Sequence, residues 1–134
     1  MRSEKPLLHG DITASIIESF FEVHRELGFG FREYLYTRAL ERLLVAKGHR
    51  VEREVPLMVY FHGEPLGYER MDVVVDGKVI IESKAREPLD PDAQAQLFAG
   101  LAATDLEVGL VLHFGKKARF YRAFFENRFK QRNK

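Results

Sequence analysis

Cysteine is absent from this sequence of 134 residues. The chain therefore has no disulfide, thiolate metal site, iron–sulfur cluster or thiol nucleophile, and a reducing cytoplasm is the simplest compartment to expect. No stretch approaches the roughly 18 apolar residues of a membrane span. The N-terminus also lacks an apolar run behind a basic start, so we expect neither secretion nor a membrane.

Two common catalytic motifs are missing as well. No glycine-rich loop leads into a helix with Lys-Ser or Lys-Thr, and no Gly-x-Ser-x-Gly occurs. Nucleotide hydrolysis of the P-loop type and acyl-transfer hydrolysis therefore have little support.

The length is that of one domain, and an apolar fraction of 46% is enough for a core. The net charge is only +1, yet eight Lys and Arg residues against one Glu follow Gly115. This basic end, interleaved with Phe and Tyr, suits a phosphate backbone, and a solvated, frayed tail over residues 125–134 fits equally well. The expected nucleic-acid contacts are Lys116, Lys117, Arg119 and Arg122.

Hydrophobic periodicity predicts the order α-α-β-β-β-α-β-β, a mixed sheet flanked by helices. A helix capped by Asp11 or Thr13 runs to about residue 27, and a second covers about 32–46 with Gly48 as its C-terminal cap. Strands are expected at about 51–61, 67–75 and 78–85, with Pro56 marking an edge or a bulge. A helix from Pro91, capped by Asp90, reaches about 103. Strands at about 107–114 and 118–124 follow, the first of them parallel to its predecessor.

Three charged residues lie in or beside apolar strands. Glu82 and Lys84 directly follow the β-branched run of residues 79–81, and Asp72 is in the preceding strand. Charged groups are usually kept out of buried strands unless they are paired or bind a metal, because their desolvation is costly. Glu82 and Lys84 are two residues apart and therefore share one face of the sheet. The alternative is an ordinary surface Glu–Lys pair on an exposed strand.

The loop between the two strands decides whether Asp72 shares that face. A two-residue loop of Asp76 and Gly77 would set Asp72 opposite Ile81, on the wrong face. A three-residue loop over 75–77 would set it opposite Ile80, with Glu82 as its diagonal neighbour. A functional site therefore predicts an odd-length loop or an equivalent bulge.

Two carboxylates and a lysine on one face suit phosphodiester hydrolysis. Hard oxygen ligands hold Mg²⁺ or Mn²⁺, which lowers the pKa of a bound water and stabilises charge on the phosphate. Lys84 would position the attacking water or neutralise the developing charge.

Several ordered segments resemble the GxxExxY proteins, a branch of the PD-(D/E)XK nuclease superfamily. Residues 30–36, Gly-Phe-Arg-Glu-Tyr-Leu-Tyr, carry that signature. Its surroundings resemble residues 23–28, 70–72, 96–97 and 109–115, so that the resemblance spans about 16–122. It implies a single restriction-endonuclease-like domain over 1–134.

The same resemblance assigns roles to individual residues. It makes Glu33 the acid contributed by a helix, Asp72 and Glu82 the metal carboxylates, and Lys84 the catalytic lysine. The Ser83 carbonyl would add a metal ligand, and Gln96 would orient the lysine, a water or the metal. Met71 departs from the superfamily's common proline, and Gly100 stands where relatives with the glutamine motif often carry Tyr.

Secondary candidates are His24, Tyr36 and Arg70. His24 would approach Glu33, but a hydrogen-bonded helix histidine is the more common case. Tyr36 lies one turn from Glu33 and would either hydrogen-bond it or pack. His113, in an apolar strand, is expected to be an interior histidine whose hydrogen bonds are satisfied.

Together these features predict a Mg²⁺- or Mn²⁺-dependent nuclease that acts on DNA in preference to RNA. The alternative is a catalytically silent module of the same fold that binds nucleic acid or a partner. Because the domain is small and lacks a separate DNA-binding part, we expect it to act as a homodimer or with a protein partner.

Overall fold

A five-stranded sheet separates two helical layers in the computed structural model, which describes residues 7–131. The strands follow the order β1-β2-β3-β4-β5, with β3 and β4 parallel and the other pairs antiparallel. The elements are α1 (Gly10–Leu27), α2 (Glu33–Ala46), β1 (Val51–Phe61), β2 (Glu64–Val75), β3 (Val79–Lys84), α3 (Ala93–Ala102), β4 (Val108–Phe114), β5 (Ala118–Phe124) and a 3-10 turn (Asn127–Phe129). The predicted order and the mixed sheet are confirmed.

Apolar residues form a core on each face of the sheet. One core lies beneath α1 and α2 and includes Phe20, Tyr36 and Phe114. The other lies beneath α3 and includes Ile80 and Leu97. Since β3 and β4 contribute to both cores, they are buried along almost their whole length, which explains their continuous apolar runs.

Two helices begin at residues other than those predicted. Helix α1 begins at Gly10, and the Thr13 hydroxyl donates to the Gly10 carbonyl, so Thr13 lies inside the first turn and does not cap it. Helix α3 begins at Ala93 rather than Pro91, because Asp90 accepts from the amide of Asp92 at 2.8 Å and forms a turn before the helix.

The predicted glycine cap closes α2. Gly48 has φ 93°, and its amide donates to Val45 while the amide of His49 donates to Leu44. These two bonds form a Schellman motif, which directs the chain from α2 into β1. β1 is an edge strand, as Pro56 indicated.

The β2–β3 connection has the predicted odd length, but it lies one residue later than expected. Val75 pairs with Val79, so the loop is Asp76, Gly77 and Lys78 rather than residues 75–77. Asp76 and Gly77 have positive φ and form the tight turn, while Lys78 is the additional residue. Asp72 and Glu82 are consequently the next residues beyond the pair Val73–Ile81, beside each other rather than diagonal.

Hydrogen bonds fix this loop to the rest of the fold. The Asp76 carboxylate accepts from His49 Nδ1 at 2.6 Å and from the Arg50 amide at 2.8 Å. His49 Nε2 lies 2.7 Å from the Ser15 hydroxyl. The order Ser–His–Asp is that of a hydrolytic triad, but Ser15 lies inside α1 and lines neither of the cavities described below. The chain of bonds joins α1, the start of β1 and the hairpin.

The outer part of the β1–β2 hairpin extends beyond the sheet as a ribbon, residues 58–68. Its side chains are mostly exposed, with Phe61, Leu66 and Tyr68 exposed to 62%, 67% and 70%. The ribbon therefore depends mainly on its own cross-strand pairing.

Residues 125–131 do not form the frayed tail that was one of the two alternatives. The amide of Asn127 donates to the Glu107 carboxylate, and the Lys130 ammonium donates to the carbonyls of Thr104 and Leu106. Arg132 and Lys134 lie outside the described residues. Within residues 7–131, no helix combines the length and apolarity needed to cross a membrane.

We expect Asp76→Asn to lower the free energy of unfolding by about 1–2 kcal/mol near neutral pH, because it weakens a charge-assisted hydrogen bond. Burial raises the pKa of Asp76, but the hydrogen bonds from His49 and Arg50 outweigh it and leave the pKa below 3.8. The folded state thus favours the carboxylate. This stabilisation is complete above the pKa of the unfolded chain and is lost as the pH falls through the lower folded value.

Urea denaturation over a range of pH checks this, with the exposed Asp11→Asn as a matched control. The two proteins should converge in stability at acid pH. An Asp76→Asn protein as stable as the unsubstituted one near neutral pH would contradict the role of the loop bonds.

Candidate active site

Asp72, Glu82 and Lys84 line one cavity of about 640 Å³ between the β1–β2 hairpin and α3. We call it the acidic cavity. Glu82 is only 6% exposed, and Asp72 and Lys84 are half-buried. The charged residues singled out in the sequence are therefore brought together, and the surface-pair alternative does not describe Glu82.

Asp72 lies where the backbone pairing of β2 and β3 ends. Its Oδ2 accepts from the Ser83 amide at 3.1 Å, so a side chain takes the place of a carbonyl partner. On the other side of Asp72, Glu54 of β1 has φ 52° and interrupts the regular strand. The distortion of the edge strand and the end of the β2–β3 pairing leave the Asp72 carboxylate at the cavity wall.

Gln96 and Asp90 hold the lysine. Lys84 Nζ donates to Gln96 Oε1 at 2.9 Å and lies 3.7 Å from Asp90 Oδ2. The predicted contact between the helix glutamine and the lysine is thus present in the structure. Lys84 also lines a second cavity of about 610 Å³ with Arg32, Glu33 and Arg86, which we call the arginine cavity. The two cavities meet at Lys84.

The electrostatics show an excess of negative charge. Burial, followed by the charge of Asp72, raises the pKa of Glu82 to about 8, although Lys84 opposes the shift. Burial also raises the pKa of Glu33, as does the charge of Asp72, while Lys84 opposes the shift. One ammonium therefore does not compensate three carboxylates, and the metal-free site retains a proton near neutral pH.

Tyr36 is fully buried and organises the segment that precedes Glu33. Its hydroxyl donates to the Gly28 carbonyl at 2.6 Å and accepts from the Phe31 amide at 3.2 Å. Its ring stacks on Phe114 with centroids 4.6 Å apart. Two roles were considered for Tyr36, hydrogen bonding to Glu33 and packing. The structure shows packing, together with the two hydrogen bonds between the Tyr36 hydroxyl and the backbone of Gly28 and Phe31, which we call the Tyr36 clasp.

The remaining candidates are His24, His113 and Arg70. His24 Nε2 donates to the Gly115 carbonyl at 2.6 Å, so His24 is a hydrogen-bonded helix histidine, the case expected to be the more common. His113 is buried and donates from Nε2 to the Arg86 carbonyl at 2.7 Å, while its Nδ1 has no partner within residues 7–131. Arg70 is exposed and lines the acidic cavity.

The four basic residues expected to contact nucleic acid do not form one patch. Lys116 and Lys117 are exposed in the β4–β5 turn, whereas Arg119 and Arg122 are three apart on β5 and point to opposite faces. Arg122 is half-buried and donates to the Leu8 carbonyl at 2.8 Å. Its guanidinium is thus engaged within the fold.

The two departures from the superfamily pattern lie against each other. A Cβ added at Gly100 would lie 3.3 Å from Ile80 Cδ1 and 3.8 Å from Met71 Cγ. α3 thus packs closely on the sheet at Gly100, and Met71 occupies part of the space beside it. The sequence alone does not predict this contact, because it joins distant segments.

The donor set fits a hard divalent cation. Within residues 7–131, no three His, Asp or Glu side chains are already at ligand spacing. Mg²⁺ is commonly bound by one or two carboxylates, with waters and substrate phosphate completing its coordination. Asp72 and Glu82 supply such a pair, and the buried negative charge would be relieved by a cation.

The sequence was compared with family models, curated proteins and solved structures, and one family model matches it. The family model of the PD-(D/E)XK nuclease superfamily matches residues 10–123. No curated protein matches the chain. The crystal structure of SSO0001 is similar, with 13% sequence identity, a TM-score of 0.44, and coverage of 94% of this chain and 70% of that one.

In metal-free protein we expect Glu82→Gln to be stabilising at mildly alkaline pH. Between the ordinary pKa of 4.5 and the folded pKa of about 8, the folded chain binds one more proton than the unfolded chain. Stability therefore falls as pH rises through this window. Since glutamine cannot ionise, the free energy of unfolding at the upper end should increase by about 1–3 kcal/mol.

Urea denaturation in EDTA across that window measures the effect, with the exposed Glu26→Gln on α1 as the control. If Glu82→Gln follows the same pH profile as the unsubstituted protein, Glu82 is not the group that retains the proton.

Proposed function

Because the chain belongs to the PD-(D/E)XK nuclease superfamily, we propose that it is a divalent-metal-dependent nuclease that hydrolyses phosphodiester bonds at the acidic cavity. The observation that supports this most directly is the convergence of Asp72, Glu82 and Lys84 on one cavity, with Gln96 bonded to the lysine. DNA is the substrate we propose ahead of RNA. Membership of the GxxExxY branch stays a prediction.

Asp72 and Glu82 would hold Mg²⁺ or Mn²⁺, with the Ser83 carbonyl and Glu33 as further oxygen ligands. When bound, the cation would lower the pKa of a water and stabilise charge on the phosphate. The Ser83 amide orients Asp72 through the 3.1 Å bond, so the carboxylate is fixed before any ligand arrives.

Lys84 acts on the phosphate side of the reaction. Its ammonium is held by Gln96 and lies near Asp90, so it points into the space where the two cavities meet. A fixed positive charge there stabilises the negative charge that develops on the phosphate oxygens. Gln96 is a positioning residue, since it acts through Lys84.

Glu33 supports the site from the first residue of α2. The Tyr36 clasp on Gly28 and Phe31 fixes the segment from which Glu33 projects. With a raised pKa, its carboxyl can exchange a proton with a water closer to neutral pH than an ordinary glutamate can. A homodimer or protein partner, expected for a domain of this size, would extend the substrate surface.

We expect Asp72→Ala and Lys84→Ala each to reduce cleavage at least about 100-fold, since removal of one preorganised group in an active site has an effect of this size. The assay uses labelled single- and double-stranded DNA and RNA with Mg²⁺, Mn²⁺ or EDTA. Lys78→Ala, an exposed lysine in the β2–β3 loop, is the matched control.

Cleavage that persists unchanged in either variant would overturn these assignments. Calorimetry with Mn²⁺ gives an independent readout, because binding should disappear in Glu82→Gln. Binding of nucleic acid without cleavage under any metal would instead favour a catalytically silent module.

Gln96→Ala tests the positioning role separately. Loss of a residue that orients a catalytic group through a hydrogen bond commonly reduces activity about 10–100-fold. We expect this loss in kcat, with the KM for substrate changed little, because the free lysine still provides charge. Gln94→Ala, a second exposed glutamine of α3 that points away from Gln96, is the control. Equal kcat values for the two variants would contradict the proposal that Gln96 positions Lys84.

A further inference from the structure

The arginine cavity adjoins the catalytic residues but contains no group assigned to catalysis beyond Glu33 and Lys84. Its volume of about 610 Å³ falls in the range of small-ligand pockets. Gly30, Phe31 and Arg32 form one side of it, and Arg86 and Asp90 lie along the other. Because it meets the acidic cavity at Lys84, a strand bound at the carboxylates has a direct continuation into it.

Two of its side chains suit a phosphate. Arg32 and Arg86 are both exposed, and neither forms an ion pair within residues 7–131. The backbone of each is fixed, since His113 donates to the Arg86 carbonyl and the Arg32 carbonyl accepts from Leu35 in the first turn of α2. Arginine on a fixed backbone binds phosphate oxygens through paired N–H donors.

Phe31 provides an aromatic surface in the same cavity. It is 50% exposed, and two contacts hold it in place. The Phe31 amide donates to the Tyr36 hydroxyl, and the Phe31 ring meets the Tyr36 ring edge-on with centroids 6.3 Å apart. A large apolar side chain that is held in place and left open to solvent is suited to stack on a planar ligand.

Resting on the nuclease function proposed above, we propose that the arginine cavity binds one unstacked nucleotide beside the cleaved bond. Arg32 and Arg86 hold its phosphate, and its base stacks on Phe31. Bases within an intact duplex are already stacked, so this site selects single-stranded or frayed nucleic acid. The preferred substrate class is therefore a single strand or a strand end rather than blunt duplex.

Fluorescence anisotropy with a labelled single strand about 12 nucleotides long tests this, alongside a blunt duplex of the same sequence. Ca²⁺ replaces Mg²⁺, and a gel verifies that the strand stays intact. We expect the single strand to bind more tightly than the duplex. Arg32→Ala and Arg86→Ala should each weaken it about 10-fold, and replacing both should reduce the slope of log affinity against log salt by about 0.7, the value for one phosphate contact.

The aromatic role is separated from packing by two substitutions. Phe31→Leu keeps an apolar side chain against Tyr36 but loses the stacking surface, so binding should weaken about 10-fold. Phe31→Tyr should bind like the unsubstituted protein. The controls are Arg42→Ala, an exposed arginine on α2, and Phe61→Leu at the tip of the hairpin ribbon.

The outcomes distinguish this proposal from the nuclease function. If cleavage requires Asp72 and Lys84 but the arginine and Phe31 variants bind normally, the nucleotide site is wrong and the nuclease stands. If no metal supports cleavage but these variants lose single-strand binding, the nucleotide site stands without the nuclease. Tighter binding of the blunt duplex, or no binding of either probe, would overturn the site.

Discussion

The pairing of β2 with β3 is the constraint on which the site depends. Side chains alternate between the faces of a sheet, so one residue more or less in the connecting loop would turn Asp72 away from Glu82. The loop of Asp76, Gly77 and Lys78 sets the register that brings these two residues side by side. Its bonds to His49 and Arg50 anchor that register to α1 and β1, well away from the carboxylates. The chemistry at one end of the hairpin is thus fixed by hydrogen bonds at the other.

The buried carboxylate of the site lowers the stability of the fold. Glu82 is placed among buried apolar strands with another carboxylate beside it, and its raised pKa measures that unfavourable environment. A protein selected only for stability would place an apolar residue there. An electrostatic penalty of this kind is typical of a functional site, particularly in a pocket where a lysine is fixed by a hydrogen bond. A bound cation would turn the same arrangement into a favourable one.

Much of the fold follows from local patterns. Periodicity predicts all eight main elements in order, and Gly48 and Pro56 have the expected roles. The odd-length loop between β2 and β3 was expected for a different reason, since only that length places Asp72 and Glu82 on one face. The positions that were wrong concern single residues, such as the loop at 76–78 and the start of α3, where two nearby choices have similar local energies. The convergence of Asp72, Glu82 and Lys84 was inferred from strand parity and the family resemblance. The stacking of Tyr36 on Phe114, the Met71–Gly100 contact and the arginine cavity depend on distant segments, and no local pattern encodes them.

The β1–β2 hairpin forms one wall of the acidic cavity, and the ribbon is the outer part of that hairpin. Val59 of the ribbon lines the cavity with Leu57 and Glu69, which flank the ribbon, whereas the opposite wall belongs to α3 and is packed on the core. A two-stranded ribbon without a covering layer opens at lower free energy than a buried sheet does. Local unfolding of the ribbon would thus widen the entrance on one side while the carboxylates, held by β3, keep their spacing. The entry of substrate to the acidic cavity and the spacing of its carboxylates therefore depend on separate parts of the chain. Either property can change in evolution without the other.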